Sequence, residues 1–216
     1  MITEPTGVFR QDFEPINPIR TQAEKITKFI WENLSDEERK VGGRDVQAQL
    51  LGFALNIKPA IFLGKIDEPT IVSAEPIIDF LSTNGIDAMI YGPFLINRKL
   101  LLDRIKNELD FAKELGWEEG MSLEDFLAKT SPYERNVLGE IRTGFILGFP
   151  QSAIRAFGEN RISPKHELII PIDIEGPTGG RVYFFSTAKS AEHAPDLEDL
   201  KKRVGVVFDH AGYVKK

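Results

Sequence analysis

The chain has 216 residues, 42% of them hydrophobic and 28% charged, an ordinary globular composition with enough apolar material for a sizeable core. A formal net charge of -6 argues against a nucleic-acid binder, which needs a basic footprint to displace counterions from phosphates. The absence of cysteine excludes disulfides, thiol nucleophiles, Cys-ligated zinc and iron–sulfur clusters.

Residues 1–16 are polar, acidic and broken by proline, without the basic and apolar regions of a secretory signal, and they read as an extended arm. The most apolar window, Gln47–Leu63, is interrupted by Asn56, Lys58 and Pro59 and falls short of the ~20 apolar residues of a membrane span. The expectation is a soluble, cytoplasmic protein with no membrane partner. Residues 17–216 are expected to form one globular domain, helix-rich as far as Gly158 and strand-rich after it.

Asn17-Pro18 starts a helix, with Asn as N-cap and Pro at the first helical position. Ile19, Ala23, Ile26, Ile30 and Leu34 follow on one face. Asp36–Lys40 is predicted as a short helical turn ended by Gly42-Gly43, and Asp45–Leu55 as an amphipathic helix limited by Pro59. Ala60–Ile66 reads as a strand, Thr70–Ser82 as a helix stopped by Asn84-Gly85, and Ile86–Tyr91 as a second strand. Strand, helix and strand in that order predict a parallel βαβ unit. Asn97–Leu115 is predicted as one helix with Leu101, Ile105, Leu109, Ala112 and Leu115 on one face. Ser122–Asp125 resembles a capping box that opens a short helix to Lys129.

Ser131-Pro132-Tyr133-Glu134 is a second capping box, opening a helix over Pro132–Phe149 that Pro150 breaks. Gly144 and Gly148 predict close packing against another element, and Gln151–Phe157 is a short helical sequel. The run Gly139–Phe157, GEIRTGFILGFPQSAIRAF, resembles a Glu-Ile-Gly-x-x-Leu-Gly-Tyr-Pro pattern of an uncharacterised bacterial domain family, with Thr143 intervening. That resemblance implies no activity. His166–Glu175 and Arg181–Thr187 predict an antiparallel hairpin around the Gly176–Gly180 loop. Apolar residues on both faces of Arg181–Thr187 place that strand inside a sheet. Asp196 is expected to cap a last helix carrying Leu197, Leu200, Val204, Val207 and Ala211 on one face, ended by Gly212.

The resulting fold class is α/β: helix-dominated, with a mixed sheet of about four strands, one βαβ unit and a C-terminal β-hairpin. The alternative is α+β, with the hairpin in a small sheet of its own.

Few motifs carry chemistry. His166, His193 and His210 with Asp173 lack the spacing of a metal site, and no metal is assigned. The loop Gly176-Pro-Thr-Gly-Gly180 with Arg181 offers an anion cradle, though a plain hairpin turn is the better reading because Gly and Pro serve turn geometry directly. Gly42-Gly43-Arg44-Asp45 before a helix offers a second. Lys65 ends a predicted strand, where open α/β sheets place ligands. No catalytic residue and no cofactor emerges. Two expectations remain open: a non-catalytic binding or accessory protein with a protein partner or a second copy of itself, and a small enzyme or ligand binder. The latter acts on an anionic, phosphate- or carboxylate-bearing molecule through Arg181, His166, Asp173 and Lys65.

Overall fold

The computed structural model describes residues 17–63, 74–129, 136–162 and 169–213. The predicted arm (1–16), the Ser131–Glu134 capping box, Lys65 and His166 lie outside these residues.

Helix α1 (Pro18–Glu32) starts as its sequence dictates: the Asn17 carboxamide oxygen accepts from the N–H of Ile19 at 2.9 Å, and Pro18 needs no such partner. Its Ala23, Ile26 and Ile30 are buried. Helix α2 (Asp36–Ala54) unites the two predicted helical stretches across a kink at Gly43, whose φ of 46° and ψ of -127° suit glycine alone.

Strand β1 (Ala60–Phe62), helix α3 (Ala74–Thr83) and strand β2 (Ala88–Tyr91) follow in the predicted order, but the two strands do not pair. Strand β3 (Phe94–Asn97) lies between them and is antiparallel to both, so β1 and β2 run the same way without touching. The predicted parallel pairing is corrected on this point. Its cause is the tight turn Tyr91-Gly92-Pro93-Phe94. Tyr91 pairs with Phe94, and Gly92 takes a φ of 52°, as the first central residue of a two-residue hairpin requires.

The three strands divide two cores by alternation. Ile61, Leu95, Ala88 and Ile90 face one core, built with α1, α2, α3, the C-terminal hairpin and the last helix. Ala60, Phe62, Phe94, Ile96 and Met89 face the other. The second core is aromatic, with Phe111, Phe126 and Phe145 in edge-to-face contact.

The helix predicted over Asn97–Leu115 is two: α4 (Arg98–Asn107) and α5 (Leu109–Glu114), broken at Glu108 with φ -118° and ψ 41°. The break rotates the apolar stripe, so Phe111 and Ala112 are buried while Leu109 is left 40% exposed. Helix α6 (Leu123–Lys129) has its capping box, with the Asp125 N–H donating to the Ser122 hydroxyl at 3.1 Å.

Helix α7 (Val137–Ile146) is capped by Asn136, which accepts from the Gly139 N–H at 2.8 Å. It turns at Gly148 into α8 (Gln151–Ile162). The predicted close packing is present at both glycines. A Cβ on Gly144 would meet Ile154 at 3.2 Å, and one on Gly148 would meet Pro59 at 2.6 Å.

Strands β4 (Ile169–Glu175) and β5 (Arg181–Ala188) form the predicted antiparallel hairpin, but as a separate two-stranded sheet. Among the described residues no strand joins them to the β1–β3–β2 sheet, so the four-stranded mixed sheet is corrected to two antiparallel sheets. Helices α2 and α8 pack on β5 instead, which is why Val182, Tyr183 and Phe185 are all buried although β4 is the one strand paired with it among the described residues. Helix α9 (Pro195–His210) closes the first core with Leu197, Leu200, Val204 and Phe208. Asp196 does not cap its own helix. Its carboxylate accepts from the N–H of Ser152 at 2.9 Å and from the Ser152 hydroxyl, so it caps α8. The free N–H groups of α8 thus receive an acceptor from a neighbouring helix. No helix among the described residues is long and apolar enough to cross a membrane.

Candidate functional site

The structure brings Arg181 and Asp173 together, with the guanidinium 3.6 Å from the carboxylate. A third group dominates them. The Asp45 carboxylate accepts from the Arg181 backbone N–H at 2.9 Å, from Nε at 2.8 Å and from Nη2. The two loops predicted as anion cradles therefore meet each other, and the anion that Arg181 holds is a side chain of α2. The contact is close: a Cβ on Gly180 would run into the Arg44 carbonyl. Hydrogen bonds from Arg181 hold the Asp45 carboxyl below its usual range, and Asp45 raises Arg181 in turn. The arrangement latches the hairpin onto α2. His193 is 82% exposed in its side chain and lies 3.9 Å from Glu192. His210 is exposed and uses its carbonyl to accept from Asn17. Among the described residues no three His, Cys, Asp or Glu side chains converge as a metal site.

The more productive geometry lies apart from these residues. A groove of about 730 Å³ opens between α4, the α7–α8 turn, α9 and the segment after α2. Its apolar wall includes Ile57, Pro59, Phe149 and Leu200. Its cations are Arg104, Lys202 and Arg203, and its carboxylates are Asp103, Glu108, Asp196 and Asp199.

Arg104 is the deepest of these, with 11% of its side chain exposed. Its Nη2 donates to Glu108 at 3.2 Å and to the Phe149 carbonyl, and its guanidinium lies 4.6 Å from the Phe145 ring centre. Its Nε–H is buried with no acceptor among the described residues. Burial lowers the Arg104 pKa, Glu108 opposes that shift, and the neighbouring Arg203 adds to it by repulsion. A guanidinium stays charged regardless, so the cost is retained in the fold. Arg203 is exposed, and among the described residues no carboxylate lies in ion-pair range of it.

Behind the groove wall stands Lys58, 1% exposed. Its ammonium sits 4.0 Å from the Tyr183 ring centre and 5.9 Å from that of Phe149, and no carboxylate faces it among the described residues. The Lys58 stem runs against Gly52, where a Cβ would crowd Val182 at 2.7 Å. Burial pushes the Lys58 amine down from 10.5 to about 7. The ring face of Tyr183 favours the charged form by up to about 2 kcal/mol, which is less than the desolvation it opposes. Tyr183 donates its hydroxyl to the Ile57 carbonyl at 3.0 Å, and burial pushes that hydroxyl up to about 12 against the pull of Arg203 and Arg104.

Lys58, Arg104 and Arg203 thus surround one tyrosine, and Glu108 is the carboxylate that Arg104 engages. Asp196, also at the groove, is committed to Ser152. Among the described residues no histidine, serine or threonine lines the groove. Sequence reasoning did not select these residues. The signal for Lys58 was its position inside the most apolar window; Arg104 carried none beyond its place beside the apolar stripe of α4. No protein-family profile, curated protein or solved structure matches this chain.

Proposed function

We propose that this chain is a non-catalytic binding protein, and that its ligand is a carboxylate- or phosphate-bearing small molecule seated in the groove between α4 and α9. One observation carries the reading: Arg104 and Arg203 repel each other at a groove where one buried Arg104 N–H has no acceptor among the described residues. A desolvated cation at the bottom of a groove binds an anion far more strongly than a solvated one does. The groove volume falls within the range that holds small ligands, and its apolar wall of Ile57, Pro59 and Phe149 suits the uncharged part of such a molecule. The latch of Arg181, Asp45 and Asp173 serves the fold, because its cation already faces two carboxylates.

Thermal-shift measurement against a panel of organic carboxylates and phosphates tests the reading. Ligands that bind the folded state raise its Tm. The proposal expects a saturable rise with some of these anions in the wild type, lost in Arg104→Met and weakened in Arg203→Ala. An equal rise in all three proteins would remove the groove from consideration.

A further inference from the structure

We infer that anion binding in the groove is linked to proton uptake by Lys58, so that the groove takes its ligand more tightly as the pH falls through neutrality. The inference rests on the groove reading above and adds its regulation. The geometry that carries it is a short physical connection. Ile57 and Pro59, on either side of Lys58, line the groove. Phe149 faces both the groove and the Lys58 ammonium, and its carbonyl accepts from Arg104. Tyr183 has Lys58 over its ring, and its hydroxyl lies within electrostatic reach of Arg104 and Arg203.

The groups that act on Lys58 can be named element by element. From α2 it meets Gly52; β5 presents Tyr183; the α7–α8 turn presents Phe149. Of these only Tyr183 ionises, and its raised pKa keeps it neutral. Farther out stand Arg104 on α4 and Arg203 on α9, with Glu108 bound to Arg104, Asp196 bound to Ser152, and Asp103, Asp199 and Lys202 at the groove rim. The Lys58 amine is buried against aromatic and apolar surface with no carboxylate facing it among the described residues, and desolvation holds its proton weakly near neutral pH. An anion bound between Arg104 and Arg203 adds negative charge beyond the groove carboxylates and favours the ammonium. Linkage then requires the converse: the ammonium favours the anion by the same factor.

Sulfate is a suitable probe, because its charge is constant between pH 6 and 8.5. Its Kd is measured by titration calorimetry across that range for the wild type, Lys58→Met and Arg104→Met. The expected result is an affinity rising about three- to tenfold from pH 8.5 to pH 6 in the wild type, the size of one screened charge–charge interaction. Uptake of a proton should accompany binding, read from the dependence of the heat on buffer ionisation enthalpy. In Lys58→Met, whose apolar replacement suits the buried position, the excess slope and the proton uptake should vanish while binding persists. If Lys58→Met shows the same slope as the wild type, the linkage is overturned and the groove reading stands. If sulfate fails to bind the wild type, or binds Arg104→Met equally well, the groove reading falls and the linkage with it.

Discussion

Arg181 and Arg104 occupy opposite electrostatic situations in one small protein. Arg181 is 36% exposed in its side chain and has two carboxylates, Asp45 and Asp173, within ion-pair range. Arg104 is 11% exposed and shares one carboxylate, Glu108, with a site where Arg203 and Lys58 add positive charge. The first cluster is charge-saturated where water already screens it. In the second, a cation withdrawn from water has a single carboxylate partner and stands beside a like charge. A saturated, screened cluster fastens two elements together and has little left to offer a ligand. A desolvated surplus of one sign is costly to keep, and a bound counter-charge relieves it.

The strongest way to break this contrast is to remove the buried cation. The fall of the Lys58 amine from 10.5 to about 7 corresponds to about 5 kcal/mol of folding free energy. The unfolded lysine binds a proton below 10.5 and the folded one only below about 7. The penalty is therefore complete below pH 7 and fades as the pH rises toward 10.5. Lys58→Met should be more stable than the wild type by about 3 kcal/mol at pH 6, after the lost ring contact is allowed for. The difference should shrink steadily to pH 10, as urea denaturation at several pH values will show.

A second change strikes the turn that shapes the groove wall. Gly148→Ala places a side chain at φ 85° and drives its Cβ into Pro59. The expected loss is about 2–4 kcal/mol, read by the same denaturation experiment.

Arg104→Met sharpens the contrast in the other direction. Removing a desolvated charge and its orphan N–H should leave stability within about 1 kcal/mol of the wild type, because burial cost and the Glu108 contact offset each other. Anion-induced stabilisation should be lost. The smallest effect is expected at the latch. Asp45→Asn should cause a slight loss at neutral pH that disappears in acid. The Asp45 pKa is lowered from 3.8 by Arg181, so its contribution is present above that value and is lost as the pH falls below it.

Much of the fold was legible locally, because local rules decided it. The Asn17-Pro18 start, the Ser122 capping box and the hairpin around Gly176–Gly180 all follow from side chains near in sequence. What depended on distant partners was misread. The Gly92-Pro93 turn inserted β3 between strands expected to pair, and α2 and α8 covered a strand expected to need neighbouring strands. Asp196 looked like the cap of its own helix because the competing donors on Ser152 lie 44 residues away. The candidate site was less legible still. Arg181 and Asp173 do approach each other, but the Asp45 that commits Arg181 to the fold comes from 136 residues away. Lys58 and Arg104 matter because of what surrounds them in space, and spacing along the chain does not reveal that.

The central claim is that Arg104 and Arg203 form the anion site while Arg181 belongs to the fold. It is tested most directly by following the arginine Nε–H signals by NMR as sulfate is titrated into the wild-type protein at pH 6. The account predicts saturable shifts of the Arg104 and Arg203 signals with one common Kd, and an Arg181 signal that stays in place. Movement of Arg181 with Arg104 and Arg203 unmoved would contradict it.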